Sequence, residues 1–258
     1  MCFDFDSRPP ELPRDLVCRP ISGGAAAEQF TLHSADGTEF AAALARSPEA
    51  GGTGVVIIPD IRGLHPFYVE LAERFAEAGH HAIAFDYYGR TAGPGPRAEG
   101  FEFGPHREQV KLDSALEDIA ATSAGLRERT GVEMVATVGF CFGGSLSFIA
   151  ATRPELGLVG VVGFYGVLAE ERFDGHGVLT QADRTRSPVL GLFGGADGAI
   201  PQEQVDEFDS QLRSSGAEHE VHVYPGAPHS FFDVKQDEFA EASEDAWRRI
   251  LAFLGGLS

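Results

Sequence analysis

The folds open to this 258-residue chain are limited first by an alternation that begins at Val55. Short apolar runs at 55–59, 82–85, 134–140, 158–165 and 189–193 are separated by amphipathic stretches with helical spacing. A brief run with no polar alternate describes a strand buried on both faces. Phe67, Leu71 and Phe75 recur four apart, as one face of a helix does, and Gly79 closes that helix. The same reading predicts helices over about 107–128, 143–151, 202–214 and 238–254, and a last strand over 220–224. Strand and helix alternating in this way predict an α/β fold with a mostly parallel central sheet and helices on both faces. At 258 residues one core, hence one domain, is expected. Ahead of the alternation, 30–47 reads as a hairpin turning at Ala35-Asp36-Gly37, and 1–20 as a proline-rich irregular stretch. The expected organisation is an N-terminal arm over 1–29 and the α/β domain over 30–258. The polar, Gly/Pro-rich 89–104 stretch reads as a loop, and no heptad or repeat is present.

The net charge of −19 argues against a nucleic-acid partner, since phosphate binding needs clustered Lys and Arg. No apolar run approaches the ~20 residues of a membrane span. The acidic start, Met1 to Asp6, lacks the apolar core of a signal peptide. Three scattered cysteines, Cys2, Cys18 and Cys141, make no disulfide framework and fit a reducing cytoplasm. The expectation is therefore a cytoplasmic protein acting on a small molecule.

In parallel sheets, sites gather at the carboxyl ends of strands. The residues found there are Asp60, the 86–90 segment, Cys141, Tyr165, Asp197 and His229. Gly139-Phe140-Cys141-Phe142-Gly143 has the G-x-S-x-G form of a nucleophile elbow, with cysteine for serine. Glycines two positions either side are needed because a Cβ there would meet neighbouring backbone. A thiol at a helix N-terminus has its thiolate favoured by free N–H groups. Taken alone, the motif leaves open an inert buried cysteine. Asp197 follows a strand in a Gly-rich turn and is placed to orient a histidine; the other reading, an N-cap, is weakened by Pro201. His229 lies in a turn after the last strand, and none of the other eight histidines completes a metal motif, so neither metal nor cofactor is expected. Nucleophile, acid, then histidine is the chain order of the α/β-hydrolase fold. On this reading His229 takes the proton of Cys141, Asp197 fixes the imidazole tautomer, and an acyl-enzyme forms and is hydrolysed. The N–H groups of Phe142 and Ile61 are the expected oxyanion donors, each worth ~3 kcal/mol in the transition state.

The chain resembles the dienelactone hydrolase (carboxymethylenebutenolidase) family from about Thr38 to the C-terminus. The motifs that carry the likeness are Pro59-Asp60-Ile61-Arg62-Gly63, Asp86-Tyr87-Tyr88-Gly89-Arg90, Gly139-Phe140-Cys141-Phe142-Gly143-Gly144, Gly195-Ala196-Asp197 and Pro228-His229-Ser230-Phe231. The resemblance implies a metal-free hydrolase of a carboxylate-bearing lactone. It makes Asp60, Tyr88 and Arg90 candidate substrate-binding residues, with Arg90 holding a carboxylate by a bidentate pair. Asp60 stands where the family usually has glutamate. Phe232-Asp233 stands where the family's lactone hydrolases carry a second arginine, an acid that repels an anionic substrate unless Arg62 or Arg97 compensates. The expected activity is therefore hydrolysis of a small ester or lactone, dienelactone-like, with a neutral substrate as the alternative to an anionic one. The alternatives on the same residues are a thioesterase or acyltransferase, and a non-catalytic thiol-based sensor.

Overall fold

A computed structural model describes residues 6–18, 27–48, 52–95, 97–169, 173 and 175–257. Among these, eight strands form one sheet: β1 (Glu28–His33), β2 (Glu39–Ala45), β3 (Gly54–Ile58), β4 (Ala82–Phe85), β5 (Val135–Phe140), β6 (Gly160–Phe164), β7 (Val189–Gly194) and β8 (His219–Tyr224). Their order is β1-β2-β4-β3-β5-β6-β7-β8. Only β2 runs against its neighbours; every pairing from β4 through β8 is parallel. The helices are α1 (Pro66–Glu77), α2 (Gly89–Ala92), α3 (Phe103–Arg107), α4 (Leu112–Thr130), α5 (Phe142–Ala150), α6 (Gln202–Ser215) and α7 (Ala240–Gly256). None is long and apolar enough to cross a membrane.

The predicted α/β architecture is the one found. Strands β3 to β7 are buried along their whole length, which is why they read as unbroken apolar runs. Helix α1 starts with Pro66 and is capped by His65, whose ring accepts the Phe67 N–H. Its apolar face carries Phe75 edge-on to Trp247 of α7, centroids 5.0 Å apart. On the opposite face α5 meets α6 through Phe148 and Phe208, 4.8 Å apart.

Two expectations shift. Strand β1 begins at Glu28, inside the stretch read as an arm. The 89–104 stretch contains α2 and the first two residues of α3, helices of four and five residues that are too short to show a period in sequence, and the long helix expected from 107 starts at Leu112. Within the arm, the described residues 6–18 are docked: Trp247 donates its indole N–H to Pro10 O at 3.2 Å, Leu12 is buried, and Asp15 pairs with Arg248.

For function, the decisive feature is where the chain reverses. From β3 the chain crosses to β4 on one side, then returns past β3 to β5 on the other. The crevice between the carboxyl ends of β3 and β5 is thus a topological switch point, where parallel α/β sheets hold their ligands.

Candidate active site

Cys141 sits at that switch point, directly between β5 and α5. Its backbone has φ 52° and ψ −110°, a conformation costly for any side-chain-bearing residue. The turn is held on both sides: the Cys141 N–H donates to Phe164 O at 3.0 Å, and its carbonyl accepts the Ser145 N–H at 3.1 Å. A Cβ at Gly139 would overlap the Gly143 carbonyl, and one at Gly143 would overlap the carbonyls of Ile58 and Pro59. The glycine spacing therefore reflects backbone crossing backbone at van der Waals distance. Cys141 is in no disulfide and is buried but for a small exposed edge. Phe142, next in the chain, opens α5, and a first-turn N–H has no intrahelical acceptor.

Asp197 follows β7 and His229 follows β8. The Nδ1 of His229 lies 2.6 Å from Asp197 Oδ2, while Oδ1 of the same carboxylate accepts the Ala199 N–H at 2.9 Å. With the carboxylate anchored at both oxygens, the imidazole turns its Nε2 away from it. Asp197 caps no helix: α6 starts at Gln202, after Pro201. The Tyr165 ring, at the end of β6, packs against the His229 ring at 4.9 Å. Besides Cys141, the non-glycine residues with positive φ among those described are Tyr165 (36°) and Ser230 (61°). Backbone strain thus collects around one end of the sheet, as it does at functional sites.

The loop after β3 carries Asp60, Ile61 and Arg62. Asp60 is 1% exposed, and its carboxylate accepts the backbone N–H of Arg62 (2.9 Å) and the Arg62 guanidinium, at 3.1 and 3.0 Å from Nε and 2.7 Å from Nη2. Arg62 also donates to Asp233, across the crevice, and to Ser7 Oγ of the arm at 3.3 Å. One buried guanidinium therefore serves two buried carboxylates. Beside them His65 is pushed down to about 3, first by burial and then by the Arg62 charge, with Asp60 opposing. The ring is neutral at working pH.

The other expected positions lie differently. Arg90 does not turn toward the crevice residues: it pairs with Asp36, Glu117 and Asp118 and with Thr38 Oγ1, tying α2 to the β1–β2 turn and to α4. Tyr88 is fully buried, its hydroxyl donating to Ile61 O at 2.8 Å. It supports the loop from beneath and offers a substrate no open surface. Arg97 pairs with Asp86, at 3.0 and 2.6 Å, and Asp86 in turn accepts the Leu64 N–H. Two residues were not legible as part of the site: Tyr68, whose hydroxyl accepts the Asp60 N–H at 3.0 Å, and Tyr87, which donates to Asp60 O. Tyr87 falls within a recognisable motif, but where its hydroxyl points depends on the packing of β4 beside β3. Of the remaining cysteines, Cys18 is exposed and donates its thiol to Ala78 O at 3.3 Å, and Cys2 lies outside the described residues.

Sheet order, switch point and the strained turn after β5 define a protein of the α/β-hydrolase fold. Comparison with known proteins narrows the class. The model of the dienelactone hydrolase family matches residues 40–258. A protein of Escherichia coli (strain K12) named "Putative carboxymethylenebutenolidase" is 31% identical over 234 residues, covering 86% of this chain and 84% of the relative. One of the same name from Saccharolobus solfataricus is 27% identical over 90% of this chain and 99% of its own length. Among solved structures, "Putative Dienelactone Hydrolase from Klebsiella pneumoniae" superposes with a TM-score of 0.76 at 28% identity, over 90% of this chain and 99% of that one. The chain belongs to the dienelactone hydrolase family, and it is a hydrolase of the dienelactone-hydrolase type.

Proposed function

We propose that the protein hydrolyses a small neutral ester or lactone through Cys141, His229 and Asp197. The observation that carries this reading is the strained, glycine-walled turn that holds Cys141 at the switch point, in a fold where the segments after β7 and β8 supply the hydrogen-bonded Asp197–His229 pair. Nδ1–H of His229 donates to Asp197, leaving Nε2 as the base. It takes the thiol proton, and the sulfur attacks the acyl carbon. The resulting oxyanion lies against the N–H groups of Ile61 and Phe142. As the tetrahedral species collapses, the C–O bond to the alkoxide breaks and His229 returns the proton to that oxygen. In a lactone the alcohol so formed stays attached to the acyl group. Water, deprotonated by His229, then attacks the thioester; the C–S bond breaks and the acid leaves. A cysteine nucleophile outside any disulfide fits a reducing compartment, which favours the cytoplasm.

The preference for a neutral substrate rests on the arginines. Arg62, Arg90 and Arg97, the candidates for holding a substrate carboxylate, are each paired with carboxylates of the chain itself. Around the crevice, Asp60 and Asp233 share one guanidinium, which disfavours a further anion.

The test is steady-state hydrolysis of p-nitrophenyl acetate and a dienelactone by the wild type and Cys141→Ala, with mass spectrometry for an acyl adduct on Cys141. Turnover lost in the variant, with an adduct in the wild type, is expected. Full turnover by Cys141→Ala would overturn the mechanism. A higher kcat/KM on the carboxylate-bearing dienelactone than on its neutral methyl ester would overturn the substrate reading.

A further inference from the structure

A trans peptide unit carries its C=O and N–H on opposite sides of a rigid plane, so whatever grips the oxygen also aims the hydrogen. The unit joining Asp60 to Ile61 bears the Ile61 N–H, and no peptide among the described residues is cis. Its oxygen accepts the Tyr87 hydroxyl and the Gly63 N–H, the latter at 3.0 Å. The units on either side are gripped by other tyrosines: the Asp60 N–H donates to Tyr68 Oη at 3.0 Å, and the Ile61 C=O accepts from Tyr88 Oη at 2.8 Å. Only Tyr87 among these hydroxyls holds the unit that presents the Ile61 N–H.

The ring of Tyr87 does something separate. It lies 5.2 Å, centroid to centroid, from the ring of Phe142, tilted by 35°. Phe142 supplies the second expected oxyanion donor from the first turn of α5. One side chain, emerging after β4, thus touches both halves of a site built from the ends of β3 and β5. Tyr87 is 3% exposed, so no water can readily replace its hydroxyl.

We propose that Tyr87 is the positioning residue of the oxyanion hole, its hydroxyl aiming the Ile61 N–H while its ring seats Phe142. This rests on the Cys141 hydrolase reading above. A donor on the carbonyl also polarises the amide and strengthens the N–H on its far side. Burial raises the hydroxyl's pKa well above its ordinary value, with the neighbouring Tyr88 and Asp60 adding to the effect, so it stays a donor across the working range.

Tyr87→Phe removes the hydroxyl and keeps the ring. The expected result is a fall in kcat of about ten- to a hundredfold with KM changed less than about twofold, since the donor acts on the oxyanion and not on the bound ester. An aldehyde inhibitor, whose thiohemiacetal oxygen occupies the hole, should lose affinity by a similar factor. The pH profile of Cys141 alkylation by iodoacetamide should not move, because the thiol and its base are untouched. Ile119→Val, a buried truncation in α4, serves as a control of comparable Tm shift and should leave kcat unchanged. A kcat within twofold of wild type, while Cys141→Ala is inactive, would overturn this inference and leave the hydrolase reading standing. So would a fall in kcat matched by slower alkylation, or matched by the Ile119→Val control. Turnover surviving in Cys141→Ala would instead remove the reading on which the inference rests.

Discussion

The Nδ1 of His229 and the Oδ2 of Asp197 are 2.6 Å apart, across 32 positions of the chain and two strands of the sheet. Because Ala199 N–H holds the other carboxylate oxygen, the acid cannot rotate away. Asp197→Asn would present an amide donor to Nδ1 and drive the imidazole proton to Nε2, where a base is needed. We expect kcat on p-nitrophenyl acetate to fall by about 10²- to 10⁴-fold with little change in KM. A loss smaller than a few-fold would take Asp197 out of the mechanism.

The crossing of backbones at the elbow predicts a steep contrast between two glycines. Gly143→Ala sets a methyl against the carbonyls of Ile58 and Pro59, neither of which can yield without moving β3. It should cost at least the ~1–3 kcal/mol of an overpacked core and abolish turnover. Gly104→Ala, in α3, meets nothing within 4 Å and should be neutral or stabilising by up to about 1 kcal/mol. Urea unfolding of the two variants distinguishes them. Equal midpoints would mean that the elbow relaxes freely.

His65 predicts an acid limit on stability. Its folded pKa, about 3, lies below the ordinary 6.5, so its contribution is complete above 6.5 and is lost as pH falls toward 3. In that window the fold should lose roughly 1.4 kcal/mol per pH unit on account of this one ring. His65→Asn keeps a side-chain acceptor for the Phe67 N–H but does not titrate, and its stability should decline less steeply between pH 6.5 and 3. Parallel stability profiles for the two proteins would refute the assignment.

Arg90 separates a structural role from a substrate role. Burial pushes Asp118 up to about 6, against the bonds from Ser34 and Arg90. A raised pKa means stability that is present below the ordinary 3.8 and lost as pH rises through 6. Arg90→Gln leaves that buried carboxylate with less compensation, so its deficit relative to wild type should widen from pH 4 to pH 7, reaching about 3 kcal/mol. The KM for a neutral ester should not change. A raised KM for anionic substrates alone, with stability intact, would restore Arg90 to the binding site.

Much of this molecule was legible because its causes are local. The elbow glycines around Cys141, the Gly-rich turn before Asp197, the turn that carries His229, and each apolar run of β3 to β7 are written within a few residues apiece. Each states a steric or solvation requirement that sequence neighbours must satisfy. The short helices α2 and α3 were not legible, since four or five residues complete too little of a turn pattern to be told from a loop.

The charges divide in the same way. That Asp60, Arg62, Arg90 and Asp233 are present could be read directly, with Arg90 pointing to an anionic substrate and Asp233 against one. Which carboxylate each guanidinium takes could not. Arg62 takes Asp60, two positions away, and also Asp233 across 171, whereas Arg90 finds Asp36 across 54 with Asp86 nearer in sequence. The identity of the proposed reacting groups is thus a property of local chain chemistry. The pairing of buried charges, and with it the room left for a substrate's own charge, was decided only when the sheet brought β3, β4 and the segment after β8 together, because desolvated ions take the partner that lies in contact after burial.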